Sequence, residues 1–305
     1  MTIINKNISD FWDKYTVTQK AQRLKWWESK EIIRHINKKV CGLALDGFNQ
    51  GLVYKLQHTY ASKIPFGRAL SVGCGSAYKE ISLLRQNIVQ HFDLYELSEV
   101  RIHAALANVK KFGLQKRVTI HQTDFFSTNV SANTYDFVHW DNALHHMLDV
   151  PNAVKVSHDV LNPGGVFFMN DFVGANRFQW SDIELSYVNR FRALLPPELF
   201  YTDKNQYIPV NIGRPSIDKM IQADPSEAAD SESIIPAVKN FFPSCFLCTT
   251  GGVIYQTALN HILAKISEES PILKWALYTD DVLNDMGLFQ YAVAIGEKQN
   301  FIHSA

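Results

Sequence analysis

Several short motifs in this 305-residue chain carry residue types suited to ligand chemistry. Leu70-Ser71-Val72-Gly73-Cys74-Gly75-Ser76-Ala77 places a Gly-x-Gly turn after an apolar run and before an amphipathic one. Glycine lets the backbone approach a ligand closely, and a helix amino terminus beyond it offers free N–H groups, a cradle for a nucleotide-like cofactor. The next apolar run, Asp93-Leu94-Tyr95, ends in Glu96 and Leu97, 23 residues after Gly73 in the case of the acid. A carboxylate there can accept from both hydroxyls of a ribose. Gln122-Thr123-Asp124-Phe125-Phe126 sets an acid beside an aromatic, a pair able to hold an exocyclic amine and to pack on a base. Tyr78 stands where a dinucleotide fingerprint needs its third glycine, which disfavours a nicotinamide-dependent oxidoreductase.

A second group can move protons. Tyr135 to Trp140 leads into Asp141-Asn142-Ala143-Leu144-His145-His146. Histidine is the commonest general base near neutral pH, so His145 and His146 are candidates for that role. Asp171, at the end of another apolar run, is a third candidate, its alternative being a cap. Tyr15, Trp27 and His35 can reach over a ligand from the amino-terminal segment, or simply pack that segment down. Arg214, after Gly213, can clamp an anionic substrate group. Cys245 and Cys248 form a CxxC, but no second pair exists among four cysteines, so no metal is expected.

These residues need elements to carry them. Ala69–Val72, Phe92–Tyr95, Val118–Ile120, Phe137–Trp140 and Val166–Met169 read as strands alternating with helices, the pattern of a parallel α/β sheet. Ser98 is placed to cap a helix carrying Ile102, Ala105, Leu106 and Val109 on one face, with Gly113 ending it. Asn162-Pro163-Gly164-Gly165 predicts a tight turn into the fifth strand. Residues 174–244, with seven prolines and an acidic stretch, read as an insertion over the sheet edge. Phe246–Thr249 and Phe289–Ile295 are late strands, with a helix expected between them through Ala258, Leu259, Ile262 and Ile266.

Taken together, the motifs resemble the class I, Rossmann-like S-adenosylmethionine-dependent methyltransferases of the small-molecule type. The resemblance rests on Val72 to Gly75, Glu96, Asp124-Phe125, Asp141 to His146 and Leu161-Asn162-Pro163-Gly164-Gly165. It implies an α/β fold: a Rossmann-like seven-stranded, mostly parallel sheet with helices on both faces and the last strand antiparallel, plus a helical amino-terminal cap and an insertion after the fifth strand. The cofactor it implies is S-adenosyl-L-methionine, with S-adenosyl-L-homocysteine as product and no metal. It implies cofactor contacts from Ser71, Gly73, Cys74 and Gly75 at the methionine end, Glu96 and Leu97 at the ribose, Asp124 and Phe125 at the adenine, and Asp141 or Asn142 near the sulfonium. The family usually has an acid where this chain has Ser71, and often a third glycine where it has Ala77.

The division expected is a cap over residues 1–66, a cofactor-binding core over 67–173, an insertion over 174–244, and late strands with a tail over 245–305. Thirty basic and thirty acidic residues cancel, which argues against nucleic acid or a membrane surface as partner, although residues 1–63 alone carry an excess of six positive charges. The first residues lack a signal peptide's basic and apolar regions, and a cytoplasmic protein is expected. Lys25-Trp26-Trp27, Arg34 to Asn37 and Asp224-Pro225-Ser226-Glu227 are similar to segments of bacterial methyltransferases of sugar and natural-product pathways. The expected reaction is therefore O-methylation of a sugar or secondary metabolite. The alternatives are N- or C-methylation and a catalytically silent binding module.

Overall fold

The computed structural model describes residues 3–18 and 25–299. Three helices precede the sheet: α1 (Ile3–Thr18), α2 (Lys30–Cys41) and α3 (Gln50–Thr59). The Ser29 side chain accepts from the Ile32 N–H to start α2, and Gly42 ends it in the left-handed region. Next come β1 (Phe66–Val72), α4 (Tyr78–Arg85), β2 (Val89–Tyr95), α5 (Glu99–Lys111), β3 (Val118–His121), β4 (Tyr135–Asp141), α6 (Val150–Val160) and β5 (Leu161–Phe172). Beyond them lie α7 (Asp182–Ala193), α8 (Ile217–Ala223), α9 (Ile234–Phe241), β6 (Phe246–Gly251), α10 (Pro271–Asp285) and β7 (Tyr291–Glu297).

All seven strands join one sheet in the order β3-β2-β1-β4-β5-β7-β6, with β7 antiparallel to both its neighbours. The strand order reverses beside β1, which leaves a crevice at the carboxyl ends of β1 and β4, where open α/β sheets bind ligands. The parallel strands are buried along both faces because helices cover both. On one side Phe66, Phe92, Phe137 and Phe168 pack under α2 to α5, and on the other Tyr135, Trp140 and Phe167 pack under α6 and α9. A third apolar cluster, holding Trp26, Val188, Phe191, Phe200, Tyr255 and Tyr291, joins the amino-terminal segment, the insertion and the late strands.

Ser98 caps α5 as expected, accepting from the Arg101 N–H, and Gly113 and Gly164 hold positive φ at the turns assigned to them. One expected element differs. Residues 258–266 do not form an α-helix; a π-helical turn over Val253–Ala258 and a short 3-10 turn over Leu263–Lys265 stand there, and the long helix is α10. The buried Asp280 of α10 accepts from the N–H groups of Gly252, Ile254 and Tyr255, anchoring the irregular turn from outside.

Candidate active site

One cavity of about 1580 Å³ opens along the carboxyl ends of β1, β2 and β4 and runs beneath α1 and the insertion. Single-ligand pockets usually span roughly 300–1,000 Å³, so this one has room for two ligands. At one end, Gly73 turns the chain with φ +69°, and a Cβ there would stand 3.1 Å from the Ala143 Cβ. The buried Glu96 carboxylate accepts from the N–H groups of Gly75 (2.9 Å), Leu97 (2.8 Å) and Ser98 (3.0 Å), which fixes it beside the glycine loop. Asp124 caps a 3-10 turn through the Phe126 N–H and accepts from the Asn5 side-chain amide of α1 at 2.9 Å. Phe125 is buried edge-on against Tyr95.

Helix α1 lies across this end. Ser9 donates to the Leu97 carbonyl, Asp13 accepts from Ser98 Oγ and the Val100 N–H, and the Arg101 guanidinium lies 3.7 Å from the centre of the Trp12 ring. At the cavity centre, Asp141 accepts from Lys79 Nζ at 2.7 Å, from the Asn142 amide and from the Asn49 amide. Burial raises its pKa above the ordinary value, against the pull of Lys79.

At the other end the histidines meet the insertion. Asp171 is fully buried and accepts from the N–H groups of Ala143, Leu144 and Phe172 and from His145 Nδ1 at 2.5 Å. His145 Nε2 is 3.7 Å from Glu227 Oε1. His146 Nδ1 is 3.1 Å from Ser226 Oγ, which donates in turn to Asp224 Oδ1 at 2.5 Å. Burial works against charge on both imidazoles, but Asp171 outweighs it for His145, whose pKa rises; His146, beside that neighbour, falls well below the ordinary histidine value. The two adjacent rings therefore differ in proton affinity. Burial also raises Glu227.

The cavity thus gathers Gly73, Cys74, Gly75, Glu96, Leu97, Asp124, Phe125, Asp141, Asn142, His145, His146 and Trp27 from the residues singled out in the sequence. It does not gather four others. Ser71 is buried below the loop, donating to Glu80 Oε1 at 2.7 Å, so it stiffens the loop from behind and does not face a ligand. His35 sits between α2 and α10 on Asp281, and Arg214 holds the Trp180 carbonyl and Asp182. Asp171 is behind His145, orienting the ring, and is not itself a surface for substrate. The side chain of Tyr15 lies outside the described residues. Sequence reasoning missed Asn49 and Lys79 at the centre and assigned no role to Asp224, Ser226 and Glu227. For the last three the only signal was the conspicuous Asp-Pro-Ser-Glu run itself.

A methyltransferase-domain family model matches residues 49–199, from α3 through α7. Among solved structures, geranyl diphosphate methyltransferase in complex with GPP and sinefungin is similar at 11% identity and TM-score 0.50, over 97% of this chain and 99% of that one. A sarcosine dimethylglycine methyltransferase from Galdieria sulphuraria matches at 17% identity and TM-score 0.47, over 82% and 85% of the two chains. Phosphoethanolamine N-methyltransferase 2 of Haemonchus contortus, in complex with S-adenosyl-L-methionine, matches at 16% and 0.48, over 96% and 60%. Residues 49–199 form a methyltransferase domain of the class I, Rossmann-like, S-adenosylmethionine-dependent type.

The donor set fits that cofactor. Glu96 is held by three backbone N–H groups and keeps one acceptor site, on Oε2, for a ribose hydroxyl, the acid-aromatic pair at Asp124-Phe125 suits an adenine, and Gly73 leaves open the space that a side chain would fill.

Proposed function

We propose that the protein methylates a hydroxyl of a small molecule, a sugar or secondary metabolite, as a cytoplasmic biosynthetic enzyme. The observation that carries this reading is the closure of one cavity by α1 and by the 174–244 insertion, whose Phe178, Met220, Ala223 and Glu227 line its far end. Such a deep chamber, roofed from two sides, suits a small acceptor better than a macromolecule. Among the described residues no helix is long and apolar enough to cross a membrane.

When bound, S-adenosylmethionine supplies a methyl carbon already activated by a positive sulfur. The chain's own work is to align, to exclude water and to take a proton. Gly73, Cys74 and Gly75 would hold the methionine end, Glu96 and Leu97 the ribose, Asp124 and Phe125 the adenine, with Asp141 and Asn142 at the centre. Trp27 would contact the acceptor. His146 takes the hydroxyl proton: it is the neutral ring of the pair, and Ser226 engages its Nδ1, leaving Nε2 as the base. His145 is held by Asp171 beside it and has the higher proton affinity of the two.

The test is incubation of the protein with isotopically labelled S-adenosylmethionine and a whole-cell extract, followed by mass analysis. Label should enter a hydroxyl of a compound small enough for the cavity; label found only in protein or nucleic acid overturns the reading. His146→Ala should lower turnover by about 10²-fold or more while S-adenosylhomocysteine affinity is kept.

A further inference from the structure

His145, His146 and Glu227 each offer a ligand atom to the same point in the cavity, all within 4.8 Å of one another. From these residues we infer a divalent-cation site of the zinc class, built from His145 Nε2, His146 Nε2 and the Glu227 carboxylate, with its fourth position open to the acceptor. It rests on the reading of this end of the cavity as the acceptor end. No metal was expected from the sequence, because the cysteine pair was the only ligand group weighed there.

Two features beyond proximity support the site. Tetrahedral coordination at bonds of roughly 2.0–2.1 Å sets ligand atoms about 3.4 Å apart, and the 3.7 Å between His145 Nε2 and Glu227 Oε1 is already close to that. Both rings also have the outer partners that metal-bound histidines use to fix their tautomer. His145 Nδ1 is on Asp171, and His146 Nδ1 is on Ser226, itself tied to Asp224. Asp224 Oδ2 is buried without a hydrogen-bond partner, 3.8 Å from the same His146 Nδ1. A ring obliged by an ion at Nε2 to carry its proton on Nδ1 would find acceptors waiting in both Ser226 and Asp224.

Two imidazoles and one carboxylate, with an open position, form the donor set of catalytic zinc sites. An ion there takes the lone pairs that the imidazoles otherwise offer to a proton. Ion and base are therefore alternative occupants of one cluster. With the ion in place, an acceptor oxygen in the fourth position is polarised by the metal.

The experiment uses untagged, full-length protein stripped with chelator, then titrated with Co²⁺ and Zn²⁺. One equivalent of Co²⁺ should bind with the strong visible absorption of a tetrahedral site, and Zn²⁺ should displace it. Glu227→Gln and His146→Ala should each weaken binding at least about tenfold, and Asp171→Asn by about 10–100-fold through the outer partner. S-adenosylhomocysteine affinity should remain unchanged in all three, which shows the fold intact. Absence of a saturable equivalent, or affinity unchanged by Glu227→Gln and His146→Ala, overturns the site. Ion binding is read without turnover. Failure here with methylation retained leaves the proposed function standing, and ion binding without any methylated product does the reverse.

Discussion

At the scale of single residues, the glycine loop and one buried acid make separable demands. Gly73 combines a positive φ with a neighbour 3.1 Å from where a Cβ would stand. Gly73→Ala forces roughly 1–2 kcal/mol of left-handed strain and crowds Ala143, so S-adenosylhomocysteine affinity should fall about tenfold by calorimetry with the circular dichroism unchanged. Asp280 tests the fold instead of the site. Burial pushes its pKa up to about 6, against the pull of the backbone N–H groups it accepts from. The folded state therefore binds this proton more tightly than the unfolded chain. Its contribution is full below about pH 4 and is lost as the pH rises through 6, on the order of 3 kcal/mol in all. Urea unfolding between pH 4 and 7 should show that decline in the parent protein and a flatter profile in Asp280→Asn; equal slopes would remove Asp280 as the cause.

At the scale of elements, α1 meets the cofactor end through Asn5 on Asp124, Ser9 on Leu97 and Asp13 on the start of α5, with Trp12 on Arg101 and His146. None of its described residues belongs to the three apolar core clusters, and it covers the cofactor end. Deleting residues 1–24 should leave the melting temperature within a few degrees while speeding S-adenosylhomocysteine release about tenfold or more, measured by stopped-flow fluorescence; a collapse of stability would show that α1 belongs to the core. The elements also show what a sequence discloses. Strands β1 to β5 were legible because buried parallel strands are short apolar runs between turn residues. The segment 258–266 misled because its apolar spacing fits a helix, while the turn that leads into it is set by two left-handed glycines, Gly251 and Gly252, and by Asp280, which is 28 residues beyond Gly252. Helix α10 went unread, although Ser270-Pro271 is a cap followed by a first-turn proline.

At the scale of the whole molecule, the insertion is tied to the rest by a buried cation. Arg192 of α7 donates to the carbonyls of Pro209 and Val210 and across to Ala258, and burial lowers its pKa to about 10. Arg192→Met strands three carbonyls and should cost about 3 kcal/mol, visible as a lower denaturant midpoint; a midpoint that does not move would show the carbonyls finding other donors. This long-range construction also explains which parts of the site stayed hidden in the sequence. The cofactor end comes from successive strand ends in fixed register, so Gly73, Glu96 and Asp124 could be read in order. The acceptor end joins His145 and His146 to Ser226 and Glu227 across some eighty residues that include α6, β5, α7 and α8, and no spacing rule spans that distance. Arg214 and His35 were misplaced for the same reason, since charge and ring type alone do not say which way a cap folds.

The amide of Asn5 on Asp124 has a consequence for the order of events in turnover. It sits on the carboxylate expected to receive the adenine amine, at the opposite end of the chamber from Ser226 and Glu227. Trp12 of the same helix stands edge-on to His146 with ring centres 5.2 Å apart, so α1 touches both ligand sites. Opening of this one helix then frees both ligands, and S-adenosylhomocysteine should compete against S-adenosylmethionine at every acceptor concentration.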